Sequence, residues 1–251
     1  AIATHGRPRR KDHPELPADG RRDTDADWGV KKTTKTNAKG ESVTCEFRWF
    51  GYKLHLIVDT VYELPVAFSV TRASVAEQPE GRRLVKQLSQ RQRRLVQRCE
   101  AASGDRGYDD TELITLLWDD FEIKPVIGIR DCWRDGEETR RVSTTRNVVY
   151  DHQGHVSCCC MSDGTLRSMA YAGFEKDRGT LKYRCPALHY SRTCPDLGRC
   201  AVKKAVRIKL SEDRRVFTPL ARSSYAWQRH YKKRTAVERV NSRLDVSFGF
   251  E

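Results

Sequence analysis

The stretch FRWFGYKLHLIVDT, residues 47–60, alternates apolar and polar side chains in its first half and is largely apolar in its second half. A second stretch, LPVAFSVTRA at residues 64–73, repeats the theme after a turn at residues 63–65. A period of two residues with many β-branched and aromatic side chains is typical of strands. The two stretches therefore predict adjacent strands, which we expect to form a hairpin.

Helices and further strands are predicted after this hairpin. In residues 80–99 one helical face carries the side chains Leu84, Leu88, Leu95 and Cys99. That spacing predicts an amphipathic helix packed on a sheet. The short stretch EAASGD then predicts a strand ending at Asp105, RGYDDTELITLLW predicts a helix capped by Asp109 or Asp110, and IKPVIGI predicts a buried strand. Strands that alternate with helices predict a mixed α/β fold.

Three other regions differ in composition. Residues 1–40 are polar and without a sustained period, which predicts an irregular, mobile segment. Residues 131–215 hold short β-like pieces and most of the cysteines, which indicates an insertion, and residues 223–247 predict one long basic helix. We therefore expect an irregular segment at 1–44, the first part of a core at 45–130, a Cys-rich β insertion at 131–215, and a helix completing the core at 216–251.

The 251 residues include 47 lysines and arginines against 34 aspartates and glutamates, a net charge of +13. Clustered cations bind polyanions by releasing counterions, so the charge favours nucleic acid as a partner. No apolar run approaches the length that spans a bilayer, and residues 1–11 lack the apolar core of a signal peptide. We expect an intracellular protein without a membrane partner. Because the chain lacks an initial methionine and stops within an apolar phrase, we also expect it to be a fragment.

Two carboxylates are candidates for chemistry. Asp105 follows a strand at a glycine-containing turn, where α/β proteins place reacting groups, although it could instead cap that turn against Arg106 or the backbone of Gly107. Glu238 could likewise be a surface carboxylate paired with Arg234. On a continuous helix, however, Glu238 shares one face with the side chains of Tyr231, Arg234 and Asp245. A hydroxyl, a guanidinium and carboxylates on one face favour metal and phosphate chemistry.

The chain resembles the DDE transposases of bacterial insertion sequences. The resemblance rests on the phrases FGYKLHLIVD with LPVAFSVTRA, then GDRGYDD, then YKKRTAVERVNSRLD, in that order over most of the chain. The last phrase matches the first three members of the family's Tyr, Arg, Glu, Lys signature, while Asp245 stands where lysine is expected. The resemblance implies a ribonuclease H-like mixed sheet flanked by helices, with a β-rich insertion before the last catalytic helix.

By the same resemblance Asp105 is the second acid of the catalytic triad and Glu238 the third. The first acid would lie on a strand before Ala1. Among the acids present, Asp59 is the best alternative because it follows an apolar strand, and Asp25 and Asp27 are weaker ones.

Metal-dependent cleavage and strand transfer at transposon ends are the implied reactions. Asp105 and Glu238 would hold Mg²⁺ or Mn²⁺, with two ions expected, since these hard cations take oxygen ligands. Tyr231, Arg234 and Arg239 would contact DNA. The resemblance also implies double-stranded DNA ends and target as partners, a homo-oligomer on DNA, and a cytoplasmic, nucleoid-associated location.

The cysteines form a second candidate site. The candidate ligands of a structural Zn²⁺ are Cys158, Cys160, Cys185, Cys194 and Cys200, with His189 nearby in sequence. Thiolates suit a tetrahedral zinc site, which could stabilise an insertion too small for its own core. The spacing contains no C-x2-C pair, so reduced cysteines in the core or on the surface are the alternative. Two other functions stay open at this point: a non-catalytic DNA-binding relic of a transposase, and a zinc-stabilised nucleic-acid-binding protein.

Overall fold

The structure is a computed structural model, and it describes residues 2–3, 25–36 and 40–248. The chain forms two compact units, Ala1–Leu88 with Thr235–Glu251, and Ser89–Arg234. The expected division at residues 44, 130 and 215 stays a prediction. The mixed α/β class is confirmed, because both units combine strands with helices.

The first unit is built around one long strand. Its elements are β1 (Ile2–Ala3), β2 (Asp27–Thr36), β3 (Ser42–Asp59), β4 (Leu64–Arg72), helix α1 (Glu77–Arg91), which starts here, and the C-terminal helix that runs from Thr235 to Phe248. β3 pairs antiparallel with β1, β2 and β4. The predicted hairpin of β3 and β4 is confirmed, and Glu63 at its turn has a left-handed φ of 53°.

The prediction of an irregular segment over residues 1–40 is wrong for β2. Ten of its residues pair with β3 in continuous register, from Asp27 opposite Gly51 to Thr36 opposite Ser42. The segment is polar, yet its threonines and Val30 are β-branched and favour a strand once a partner strand is present. Residues 4–24 of the same predicted segment lie outside the described part of the chain.

The predicted helix over residues 80–99 is present but interrupted. α1 ends at Arg91, Gln92 leaves the helical conformation, and α2 (Arg93–Arg98) follows. Leu84 and Leu88 are buried as expected, whereas Val96, and not Leu95, is the buried residue of α2.

The second unit contains the parallel strand pair that carries Asp105. Its elements are α2, β5 (Ala101–Gly104), a 3₁₀ turn (Arg106–Tyr108), α3 (Thr111–Thr115), a π-helical turn (Leu116–Asp120) and β6 (Lys124–Ile127). β5 and β6 are parallel and joined through α3. Within the described residues they form a two-stranded sheet of their own, so the expected single mixed sheet is not seen there.

Two antiparallel sheets follow in the same unit. The first comprises β7 (Thr139–Arg141), β8 (Val148–Asp151), β9 (Val156–Cys159) and β10 (Leu166–Ser168). The second comprises β11 (Ala170–Glu175), β12 (Thr180–Arg184) and β13 (Ala205–Lys209), with α4 (Pro186–His189) between the last two strands. They share a hydrophobic core in which Leu181, Tyr183, Ile208 and Phe217 are almost fully buried.

The predicted single basic helix over residues 223–247 is wrong. α5 (Tyr225–Lys232) ends before Arg234, and α6 (Thr235–Phe248) begins after it. At the break the amides of Lys233 and Arg234 donate to carbonyls only three residues back, at 3.1 Å each. Residues 232–234 are three consecutive cations, and positive charge is favourable at the carboxyl end of a helix because of the helix dipole, which suits an end to α5 at this point. Tyr231 and Glu238 therefore do not share a face of one helix.

Candidate active site

Asp105 lies directly after the carboxyl end of β5, on the turn that leads into the 3₁₀ helix. Its Oδ1 accepts a hydrogen bond from the amide of Gly107 at 2.9 Å, so the turn-capping role is real. The side chain is exposed, and within the described residues its second carboxylate oxygen makes no hydrogen bond. A carboxylate that is fixed through one oxygen and open at the other can cap the turn and also bind a ligand.

Helix α5 packs against β5 and β6 near their carboxyl ends. The hydroxyl of Ser103 on β5 donates to the carbonyl of His230 on α5 at 2.9 Å. Just after β6, a Cβ added to Gly128 would lie 2.8 Å from the Tyr231 hydroxyl and 3.1 Å from Cγ of Arg106. The absence of a side chain at Gly128 therefore allows Tyr231 to approach the turn that follows Asp105.

Two aromatic side chains of α5 alternate with guanidinium groups. Trp227 and Tyr231 stack with ring centroids 4.7 Å apart and planes at 15°. The Arg222 guanidinium lies 5.6 Å from the Trp227 ring, and that of Arg234 lies 5.5 Å from the Tyr231 ring. Cation–π contacts of this kind fix the positions of both partners. Tyr231 and Arg234 are thus brought together, as predicted, but through the turn at the end of α5.

Arg222 is the most deeply buried cation of this region, with 7% of its surface exposed. Its guanidinium donates to the carbonyls of Ile127, Val216 (3.3 Å) and Arg215 (2.8 Å). Burial lowers the pKa of Arg222 to about 10, which still leaves it charged at neutral pH. It therefore supplies positive charge from beneath the aromatic pair and holds the segment after β13 against β6.

An open cleft of about 450 Å³ lies over these groups. Its lining residues are Arg106, Gly128, Ile129, Asp131, His152, Gln153, His155, Arg222, Trp227, Gln228 and Tyr231. Two arginines, a phenol and an indole converge on it. Such a cleft is suited to an anionic ligand that also offers flat apolar groups, which describes a nucleic acid strand.

Asp109 forms the support behind the cleft. Its carboxylate is fully buried and pairs with Arg215, at 2.6 Å from Oδ2 to Nη2. It also accepts from the amide of Arg130 at 2.8 Å. Asp110, and not Asp109, is the helix cap, since its carboxylate accepts from the amide of Leu113 at 3.0 Å.

Glu238 and Arg239 lie in the first turn of α6, in the first unit. Glu238 is exposed. Arg239 and Arg243 both donate hydrogen bonds to Glu63 at the β3–β4 turn. The hydrogen bond from Arg239 is the largest cause of the lowered pKa of Glu63. The predicted DNA contact Arg239 is therefore engaged with Glu63 in this structure.

The alternative first acids all have structural contacts. Asp59 accepts from the amides of Val61 (2.8 Å) and Tyr62 (2.9 Å) and so shapes the β3–β4 turn. Asp25 lies 3.6 Å from Arg72, and Asp27 accepts from the amide of Trp28 at 2.7 Å. Each of these three carboxylates therefore has a structural contact, and their role as a first acid stays an untested alternative.

The five predicted zinc ligands, together with Cys159, line one small cavity in the second unit. Burial first, and then the neighbouring thiols of Cys185, Cys200 and Cys194, raise the pKa of Cys158 to about 11. Cys160 instead donates to Asp196 at 3.0 Å, and this hydrogen bond raises its own pKa to about 11.

The donor chemistry of the two carboxylates fits the metals that the resemblance implies. Asp105 and Glu238 offer the oxygen atoms that Mg²⁺ and Mn²⁺ prefer. Within the described residues, no three or more His, Cys, Asp or Glu side chains are arranged to hold a metal ion as they stand.

Sequence reasoning missed Trp227, Arg222 and the supporting pair of Asp109 and Arg215. Trp227 precedes Tyr231 by four residues, a spacing that predicts a stacked pair on one helix face. Asp109 and Arg215 are distant in the sequence, so no local pattern joins them.

Comparison with known proteins gives one finding. The sequence model of the transposase DDE domain matches residues 15–251. No curated protein and no solved structure matches the chain. No helix in the described part of the chain is long and apolar enough to cross a membrane. A match over nearly the whole sequence, together with the acid at the end of β5 and the cationic cleft beside it, shows that the chain belongs to the transposase DDE domain family.

Proposed function

We propose that this chain is the catalytic domain of a transposase that cuts and joins DNA strands at the ends of an insertion sequence. The observation that carries the proposal is the position of Asp105, exposed after a parallel strand and next to a cleft lined by Arg106, Arg222 and Tyr231. The order of β3, β4, α1, β5, α3 and β6 supports a ribonuclease H-like core.

Asp105 and Glu238 are the proposed ligands of Mg²⁺ or Mn²⁺, with two ions in the active complex. When bound, such ions activate a water or a 3′-hydroxyl and stabilise the leaving oxygen of a phosphodiester. The protein's part is to present the carboxylates and to hold the DNA. Asp105 is prepared for this by its bond to Gly107, which fixes one oxygen and orients the other.

The DNA backbone is proposed to lie in the cationic cleft. Arg106 and Arg234 would pair with phosphate oxygens, since a guanidinium donates two parallel hydrogen bonds to such a group. Tyr231 would donate its hydroxyl to a neighbouring phosphate, and its stack on Trp227 fixes the ring for this role. Arg239 would join them by exchanging Glu63 for DNA. Double-stranded ends and target, a homo-oligomer on DNA and action at the bacterial nucleoid are further parts of the proposal.

The test uses the purified chain, a supercoiled plasmid and Mn²⁺ or Mg²⁺. Asp105→Asn and Glu238→Gln should each slow metal-dependent nicking by at least about a hundredfold, because a lost metal ligand costs several kcal/mol of transition-state stabilisation. DNA affinity, measured by fluorescence anisotropy with a labelled duplex, should stay within about threefold.

The matched controls are Asp135→Asn and Glu122→Gln, which remove carboxylates from exposed ion pairs with Arg140 and Lys176. Both controls should nick at the wild-type rate. DNA binding without metal-dependent nicking by the wild-type chain would instead indicate a non-catalytic relic. Weak binding with no response to metal would favour the zinc-stabilised nucleic-acid-binding protein.

A further inference from the structure

Four cysteines from different structural elements meet at one place in the second unit. Cys158 lies on β9, Cys185 follows β12 and precedes α4, and Cys194 and Cys200 lie between α4 and β13. All four line a cavity of about 20 Å³. A space of this size holds roughly one water molecule or one ion.

The other two cysteines of the cavity have different partners. Cys160 donates to the carboxylate of Asp196, which is buried and also accepts from the amide of Ser162 at 3.0 Å. Cys159 donates to the carbonyl of Gly164 at 3.6 Å. These contacts hold the turn after β9 in place and leave Cys158 as the thiol of the CCC run that faces the other three.

Polar groups around the cavity are suited to thiolates. The buried Asn147 donates from Nδ2 to Sγ of Cys200 at 3.2 Å. Arg167, whose guanidinium donates to the carbonyl of Thr193 at 3.2 Å, also lines the cavity. Four thiolates around a divalent ion carry two net negative charges, which an amide donor and a nearby guanidinium offset.

We propose that Cys158, Cys185, Cys194 and Cys200 bind one structural zinc ion. Four sulfur ligands complete a tetrahedral sphere, and such a closed site stabilises a fold without taking part in catalysis. The thiols as they stand are not in ligand geometry. Binding requires deprotonation of the thiols and rearrangement of their side chains around the ion.

A zinc ion at this site would stabilise the long connection between α4 and β13. Residues 190–204 contain no helix or strand, yet Cys194 and Cys200 pack against the hydrophobic core that the two antiparallel sheets share. An ion that joins this connection to β9 and to the start of α4 would stabilise the whole region. The zinc proposal does not depend on the transposase reaction, because none of its residues lines the cationic cleft.

The test measures zinc bound to the full chain by inductively coupled plasma mass spectrometry. The protein is reduced, equilibrated with zinc and then exchanged into metal-free buffer. We expect about one zinc per wild-type chain. Serine in place of Cys158, Cys185, Cys194 or Cys200 should weaken zinc affinity at least tenfold, measured by competition with a chromophoric chelator.

The matched controls are Cys160→Ser, within the same CCC run, and Cys45→Ser, an exposed cysteine of the other unit. Both should retain about one zinc. Equal zinc loss from Cys160→Ser, or no zinc in the wild type, would overturn the proposal. If a ligand variant fails to fold, cobalt substitution of the wild type decides: absorption typical of four thiolate-to-cobalt bonds supports the site, and absorption typical of fewer contradicts it.

Discussion

Replacing the buried Asp109 by asparagine should destabilise the second unit strongly. The Asp109 carboxylate is fully buried and makes an ion pair with Arg215 at 2.6 Å. Asparagine keeps the volume and can still accept from the amide of Arg130, but it leaves the Arg215 cation without its counter-charge. Breaking a buried ion pair from one side costs about 3–5 kcal/mol. Because the Arg215 side chain is 23% exposed, we expect a value near the lower end, about 3 kcal/mol.

Amide hydrogen exchange measured by mass spectrometry reports the loss of stability in each unit separately. A loss of about 3 kcal/mol corresponds to exchange about a hundredfold faster in peptides that contain β6, when exchange proceeds through unfolding of the unit. Peptides from β3 and β4, in the other unit, report any effect beyond the second unit.

Asp135→Asn is the matched control, since Asp135 also pairs with an arginine at 2.7 Å but both side chains are 40% or more exposed. An exposed pair contributes about 0–1 kcal/mol, so β6 peptides should exchange within about fivefold of the wild-type rate. Equal effects of Asp109→Asn and Asp135→Asn would refute the reasoning from burial.

Three further changes have defined outcomes. Gly128→Ala places a Cβ 2.8 Å from the Tyr231 hydroxyl and should weaken duplex DNA binding about tenfold in an anisotropy assay, whereas Gly198→Ala, where a Cβ would meet nothing within 4 Å, should not. Glu63→Gln weakens the hold on Arg239 and Arg243 and should raise DNA affinity several-fold with a steeper salt dependence; unchanged affinity would show that these arginines do not reach DNA. Burial lowers the pKa of His55 in the folded state. The contribution of neutral His55 to the free energy of unfolding is therefore complete above the unfolded pKa of about 6.5, and it is lost as the pH falls from there towards the lower folded pKa. Urea unfolding should show this loss of stability in the wild type and a smaller loss in His55→Asn.

The sequence predicts the elements whose pattern is local. The β3–β4 hairpin follows from alternation and a turn, and Asp105 follows from a short strand that ends at a glycine-containing turn. β2 was missed because its side chains are polar and its stability comes from ten backbone pairings with β3, which no local pattern reveals.

The helix at the C-terminus shows the opposite failure. A spacing of three and seven residues placed Tyr231, Arg234 and Glu238 on one face, but that inference holds only if the helix is continuous. The structure breaks it at Lys233 and Arg234. Tyr231 and Arg234 still meet, since a cation–π contact spans the turn.

Contacts between distant residues could not be predicted. Composition alone grouped the cysteines as possible zinc ligands. The proposal of Cys158 rather than Cys160 as a ligand depends on Asp196, which the fold brings beside Cys160. The choice of Asp110 as the helix cap likewise depends on Arg215, more than 100 residues away, which pairs with Asp109.

Iron-directed cleavage of the polypeptide tests most directly whether Asp105 and Glu238 bind a common metal centre. Fe²⁺ replaces Mg²⁺ at carboxylate sites, and with ascorbate and peroxide it generates radicals that cut the nearby backbone, whose fragments are identified by mass spectrometry. With duplex DNA bound, the account predicts cuts near residue 105 and near residue 238, both suppressed by excess Mg²⁺ and both lost in either Asp105→Asn or Glu238→Gln. Cuts near only one of these residues, or cuts that persist in both variants, would contradict it.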